Sequence, residues 1–77
     1  MRRESEHRSG AEARSSVGAE LSSLTTALDE LTSRVAAIAE PLAGTDDDLL
    51  ASDLFEVERS LREAIRRLAH ARATRRD

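Results

Sequence analysis

Three groups of residues in this 77-residue chain could hold an ion or move a proton. Asp46, Asp47 and Asp48 are consecutive carboxylates; His7 and His70 are the two imidazoles; seven Arg residues crowd positions 59–77. A calcium loop spaces its acids as D-x-D-x-D-G with a later Glu, so that several oxygens converge on one point. Three adjacent acids at a helix start diverge instead, and here Leu49 and Leu50 follow them. The triplet therefore reads as a helix-capping run that complements the positive end of the helix dipole, and no metal is expected.

A di-iron carboxylate helix needs Glu three residues before its His. Arg67 stands three before His70 and Arg66 four before it, so both His read as solvated side chains. The chain has no Cys and no Lys, hence no thiolate nucleophile or ligand and no Schiff-base or phosphate-loop lysine. No G-x-S-x-G elbow is present, and three scattered Gly residues cannot build a phosphate cradle. The expectation is no catalytic residues, no cofactor and no enzymatic activity.

The Arg cluster is the remaining chemical feature. Arg59, Arg62, Arg66, Arg67, Arg72, Arg75 and Arg76 could neutralise phosphates. Against this stand a net charge of −3, a pI near 5.4 and a single aromatic residue, Phe55, for stacking. Nucleic acid is therefore a disfavoured partner. The charge is also segregated: residues 40–58 carry seven acids and no Arg, whereas 59–77 carry seven Arg and two acids.

The elements that position these groups follow from the apolar spacing. Val17, Leu21, Leu24, Leu28, Leu31, Val35, Ile38 and Leu42 alternate steps of four and three. Leu50, Leu54, Val57, Leu61, Ala64, Leu68 and Ala71 repeat the pattern, and Ile65 widens it. Steps of three and four mark one face of a helix, not the alternation of a strand. The residues beside the first seam are small and neutral (Thr25, Ala27, Thr32, Ala39), which permits close approach of another helix. Glu40-Pro41-Leu42-Ala43-Gly44 interrupts the chain between the two seams.

The fold expected is all-α: an antiparallel, coiled-coil-like two-helix hairpin, with helix 1 at about 16–43, a turn at about 41–46 and helix 2 at about 46–73. Residues 1–15 read as a disordered or fraying arm, and 74–77 as a frayed end. The expected packing interface is Leu21, Leu24, Leu28, Leu31, Val35, Ile38, Leu50, Leu54, Val57, Leu61, Ile65 and Leu68. A chain this short rarely gains enough from one core, so a homodimer closing into a four-helix bundle is expected. Phe55 lies about 100° off the main seam. With Arg59, Arg62 and Arg66 it marks a candidate face for another protein.

Two helical-hairpin signatures are unmet. The turn lacks the Trp-x-Gly of the WXG100 secretion hairpins, and the chain has no Tyr for their export signal. The E-x3-S-x2-R-x3-Q-x3-D pattern of cyclic-dinucleotide-binding anti-sigma factors meets Glu56 and Ser60, then Glu63 and Arg67 where Arg and Gln are needed. No apolar run approaches the roughly 20 residues of a membrane span, and the charged N-terminus does not read as a secretory signal, so a cytoplasmic location is expected. The function expected is a small adaptor, assembly or regulatory subunit acting by helix packing. The alternative is a transcription-associated regulator whose Arg-rich end meets an acidic partner or nucleic acid.

Overall fold

A computed structural model describes residues 10–74 of the chain. Helix α1 spans Gly10–Ala39, a 3-10 turn covers Glu40–Leu42, and helix α2 spans Asp48–Thr74. The two long helices pack against each other as a hairpin. Among the described residues there is no strand.

α1 starts at Gly10, six residues before the position expected from the sequence, so residues 10–15 are helical and not part of an arm. Ala11, Glu12, Ala13 and Arg14 are good helix formers, and Gly10 costs little in a first turn whose N–H groups are unpaired anyway. Residues 1–9 of the expected arm, His7 among them, lie outside the described residues. At the other end α2 includes Thr74, whose hydroxyl donates to the Ala71 carbonyl.

α1 does not run to residue 43. It gives way after Ala39 to the 3-10 turn containing Pro41. Proline cannot donate to the carbonyl four residues back, and its ring crowds that position. The chain then reverses through Gly44, whose φ of +78° lies in the left-handed region that glycine adopts without strain. Thr45 holds the reversal together. Its N–H and hydroxyl both reach the Leu42 carbonyl, at 3.1 and 2.6 Å, and its oxygen accepts the Asp47 N–H at 3.1 Å. The Asp48 carboxylate accepts the Gly44 N–H at 2.6 Å. α2 consequently begins at Asp48, two residues later than expected, with Asp46 and Asp47 in the turn.

The packing between the helices is narrow. Ala39 and Ala51 are fully buried, Thr32 nearly so, and among the described residues no large side chain is fully buried. The inward positions of α1 and the 3-10 turn repeat every seven residues in two columns. One is Leu21, Leu28, Val35 and Leu42; the other is Gly18, Thr25, Thr32 and Ala39. The second column is small, so the helices approach closely along it. Its two hydroxyls are satisfied within α1: Thr25 donates to the Leu21 carbonyl at 2.9 Å, and Thr32 to that of Leu28 at 2.7 Å. Facing them on α2 are the half-buried Leu54, Leu61 and Leu68 together with Ala51, Glu58 and Ile65.

Two substitutions test these features. Gly44→Ala meets no atom within 4 Å, so its cost is the backbone strain alone. It is expected to lower stability by about 1 kcal/mol in urea titration. Ala51→Leu inserts bulk at the most buried position of α2 and is expected to cost about 1–3 kcal/mol in the same titration.

Candidate protein-interaction faces

The twelve residues expected at the packing interface divide into two sets. Leu21, Leu28, Val35, Leu54, Leu61, Ile65 and Leu68 are half-buried between the helices. Leu24, Leu31, Ile38, Leu50 and Val57 stay 44–56% exposed, as does Val17 at the end of the same column. In heptad terms Leu21, Leu28, Val35 and Leu42 occupy a positions. Val17, Leu24, Leu31 and Ile38 are then d, and Gly18, Thr25, Thr32 and Ala39 are e. On α2 the d column is Leu50, Val57, Ala64 and Ala71. The hairpin closes on its a and e columns and leaves d outside.

Both d columns fall on one broad face of the hairpin. At about 100° per residue, d lies about 80° from the inward direction between a and e, in the same rotational sense on each helix. Reversing the chain direction and reversing the direction to the neighbour compensate each other. Equal heptad letters on antiparallel helices therefore share a face. The result is a continuous strip of Val17, Leu24, Leu31, Ile38, Leu50 and Val57. Leu49, 83% exposed, flanks it at the turn end.

Phe55 occupies the opposite broad face, at a b position, and is half-buried. With Glu58, Arg59 and Arg62 it lines a shallow open groove. Arg66 is exposed one turn further along and is not part of that groove. A second open groove lies at the far end of the hairpin, where Gly18 of α1 meets Ala69, Arg72 and Ala73 of α2.

The Arg side chains of α2 are largely engaged along their own helix. Arg59 lies 3.5 Å from Glu56, Arg62 pairs with Glu58, and Glu63 is shared by Arg66 and Arg67. Most of these pairs are solvent-exposed, which makes each worth little. Glu58 differs: its side chain is 15% exposed, because it stands at an inward e position. Among the described residues no group of three or more His, Asp or Glu side chains is placed to hold a metal ion. No described helix is long and apolar enough to cross a membrane.

Sequence reasoning treated the d and a columns as one seam and set Thr25, Thr32 and Ala39 beside it. It missed Gly18 and Glu58 as inward residues. The available signal was the seven-residue spacing of the small residues 18, 25, 32 and 39.

The ion pairs yield a direct comparison. Arg62→Ala strips the partner from a mostly buried carboxylate and is expected to cost about 1 kcal/mol. Arg59→Ala breaks an exposed pair and is expected to change stability by less than about 0.5 kcal/mol. Thermal melts of the two variants side by side check the difference.

No protein-family model, no curated protein and no solved structure matches the chain.

Proposed function

We propose that this chain is a small non-enzymatic interaction module that works by helix packing, and that its exposed d face receives a second copy to form a homodimeric four-helix bundle. The observation that carries this reading is the strip of six large apolar residues, each 44–56% exposed, at heptad spacing on one face. Isolated exposed apolar residues are ordinary on a protein surface; a contiguous strip on one face marks an interaction site. The smallest extent of the molecule is 13 Å, about one helix thick, so the hairpin is a single layer with both broad faces open. Stacking two such layers on their apolar strips produces the four-helix bundle. In the bundle the Phe55 groove remains on the outside, free to engage an adaptor's or regulator's further protein partner.

The alternative is a transcription-associated regulator that uses the Arg-rich half of α2 on an acidic partner or nucleic acid. The engagement of Arg59, Arg62, Arg66 and Arg67 by Glu56, Glu58 and Glu63 favours the packing module. Nucleic-acid affinity that falls steeply with salt would reverse that preference.

The test is solution mass by light scattering over a concentration series. The native chain is expected at twice its 8.4 kDa mass. Leu31→Ala removes one half-exposed leucine from each copy. It is expected to weaken the dimer by about 2 kcal/mol, roughly 30-fold in dissociation constant. Ser33→Ala, on the outward side of α1, is expected to leave the mass unchanged. A single-chain mass for the native protein at every concentration would sink the dimer.

A further inference from the structure

Resting on the dimer proposed above, we infer that the two copies meet antiparallel, each turn lying against the other copy's open end. α1 then packs on α1 of the second copy, and α2 on α2. With the helices of the two layers aligned, as in a four-helix bundle, two-fold symmetry allows one other face-to-face arrangement, with both turns at the same end and α1 against the second copy's α2.

The first argument is the taper of the apolar strip. The shared groove of Gly18 with Ala69, Arg72 and Ala73 fixes the register: residues at one level have numbers that add to about 90. Ile38 is thus level with Leu50 near the turn. Leu31 and Val57 follow, then Leu24 with Ala64, and Val17 with Ala71 at the open end. The strip is bulky at the turn and slim at the open end, because the α2 column runs Leu, Val, Ala, Ala. Docking turn on turn stacks two Ile38 and two Leu50 at one end, and at the other two Val17 and two Ala71. Such an interface is thick at one end and hollow at the other, which close packing does not tolerate. Docking turn on open end sets Ile38 and Leu50 against Val17 and Ala71 of the second copy. Leu31 and Val57 then meet Leu24 and Ala64. Every layer has nearly the same volume.

The second argument is charge. Residues 40–58 carry seven acids and no Arg, while residues 59–74 carry five Arg and one acid. Antiparallel docking brings each acidic turn beside an Arg-rich end. The other arrangement brings two acidic turns together, and like charges at that distance are only partly screened. The rim residues Glu20, Arg34, Asp53 and Arg67 find opposite charges in either arrangement, so they do not select one. Layer volume and the charge blocks make the selection.

Cysteine cross-linking reads the arrangement, and the chain has no Cys to interfere. The two-fold axis of the antiparallel dimer passes near residues 27–28, midway between Val17 and Ile38. Ala27 is exposed there, on the rim of the strip. An Ala27→Cys chain is expected to form a disulfide-linked dimer on mild oxidation. Ser33→Cys, outward on the same helix, is expected to remain reduced. Circular dichroism of each reduced variant confirms that the helices persist. In the rejected arrangement the Ala27 positions lie on opposite sides of the bundle, beyond disulfide reach. There Ala27→Cys chains would instead link to Ser60→Cys chains when the two variants are mixed. A dimeric mass with that mixed product and no Ala27 homodimer overturns the orientation and leaves the dimer standing. A single-chain mass overturns both.

Discussion

The contact on which the rest depends is the close approach of α1 and α2 along a column of small residues. Gly18, Thr25, Thr32 and Ala39 recur every seven residues, and two of them are the most buried positions of α1. α1 carries apolar or neutral side chains in three adjacent columns, and one neighbouring helix can cover only two of them. Turning the small column inward shortens the distance between the helices, and the Thr hydroxyls it covers are satisfied by the backbone of α1 itself. It also fixes which column is left over. Because the helices run antiparallel, the two leftover columns come to one face instead of two. A single choice of rotation thus sets the hairpin's interior, the exposed strip and the position of Phe55 on the far side.

Much of this is legible in the residues themselves. Steps of three and four give two helices, Pro41 and Gly44 give the reversal, and the small residues beside the first seam announce a close contact. What the pattern does not decide is which flank of the leucine column turns inward. Columns d and e lie about 60° and 40° from it on opposite sides, so either pair makes an apolar stripe on α1. Side-chain size settles the matter only when both helices are considered together. The small column of α1 receives Ile65 and Glu58 from α2, and equally small Ala51 at the most buried position of α2. Helix ends were less legible, for local reasons. The side-chain and backbone bonds of Thr45 delay α2 to Asp48, and a short run of good helix formers carries α1 back to Gly10.

The polar residues follow the same geometry. Of the three consecutive aspartates, Asp48 receives the Gly44 N–H on its carboxylate, and the Asp47 backbone carbonyl accepts the Ala51 N–H at 3.0 Å. Arg59, Arg62, Arg66 and Arg67 of α2 lean on Glu56, Glu58 and Glu63 one turn back. Short-range pairing of this kind disperses charge along a helix rather than gathering it into a site. It leaves the segregation of acids and bases between the two ends as the main electrostatic feature of the molecule, one that acts on orientation more than on affinity.

A hairpin whose only fully buried side chains, among the described residues, are two alanines has little to hold it apart from water. Its large apolar side chains are each half covered, whichever column they belong to. Covering the d face in the proposed dimer therefore does more than add an interface. It removes water from the outer side of the a column, which borders both the interior and the strip, and so completes the burial that α1 and α2 began. Folding and association then draw on the same leucines, as they do in small helical proteins that reach stability through oligomerisation. The taper of the strip takes on a structural meaning in that setting. A strip of even width would fit itself in either direction, whereas one that is bulky at the turn and slim at the open end favours a single pairing. The alanines at 64 and 71, the weakest positions of the second seam when α2 is read alone, become the places where the second copy's Leu50 and Val57 fit.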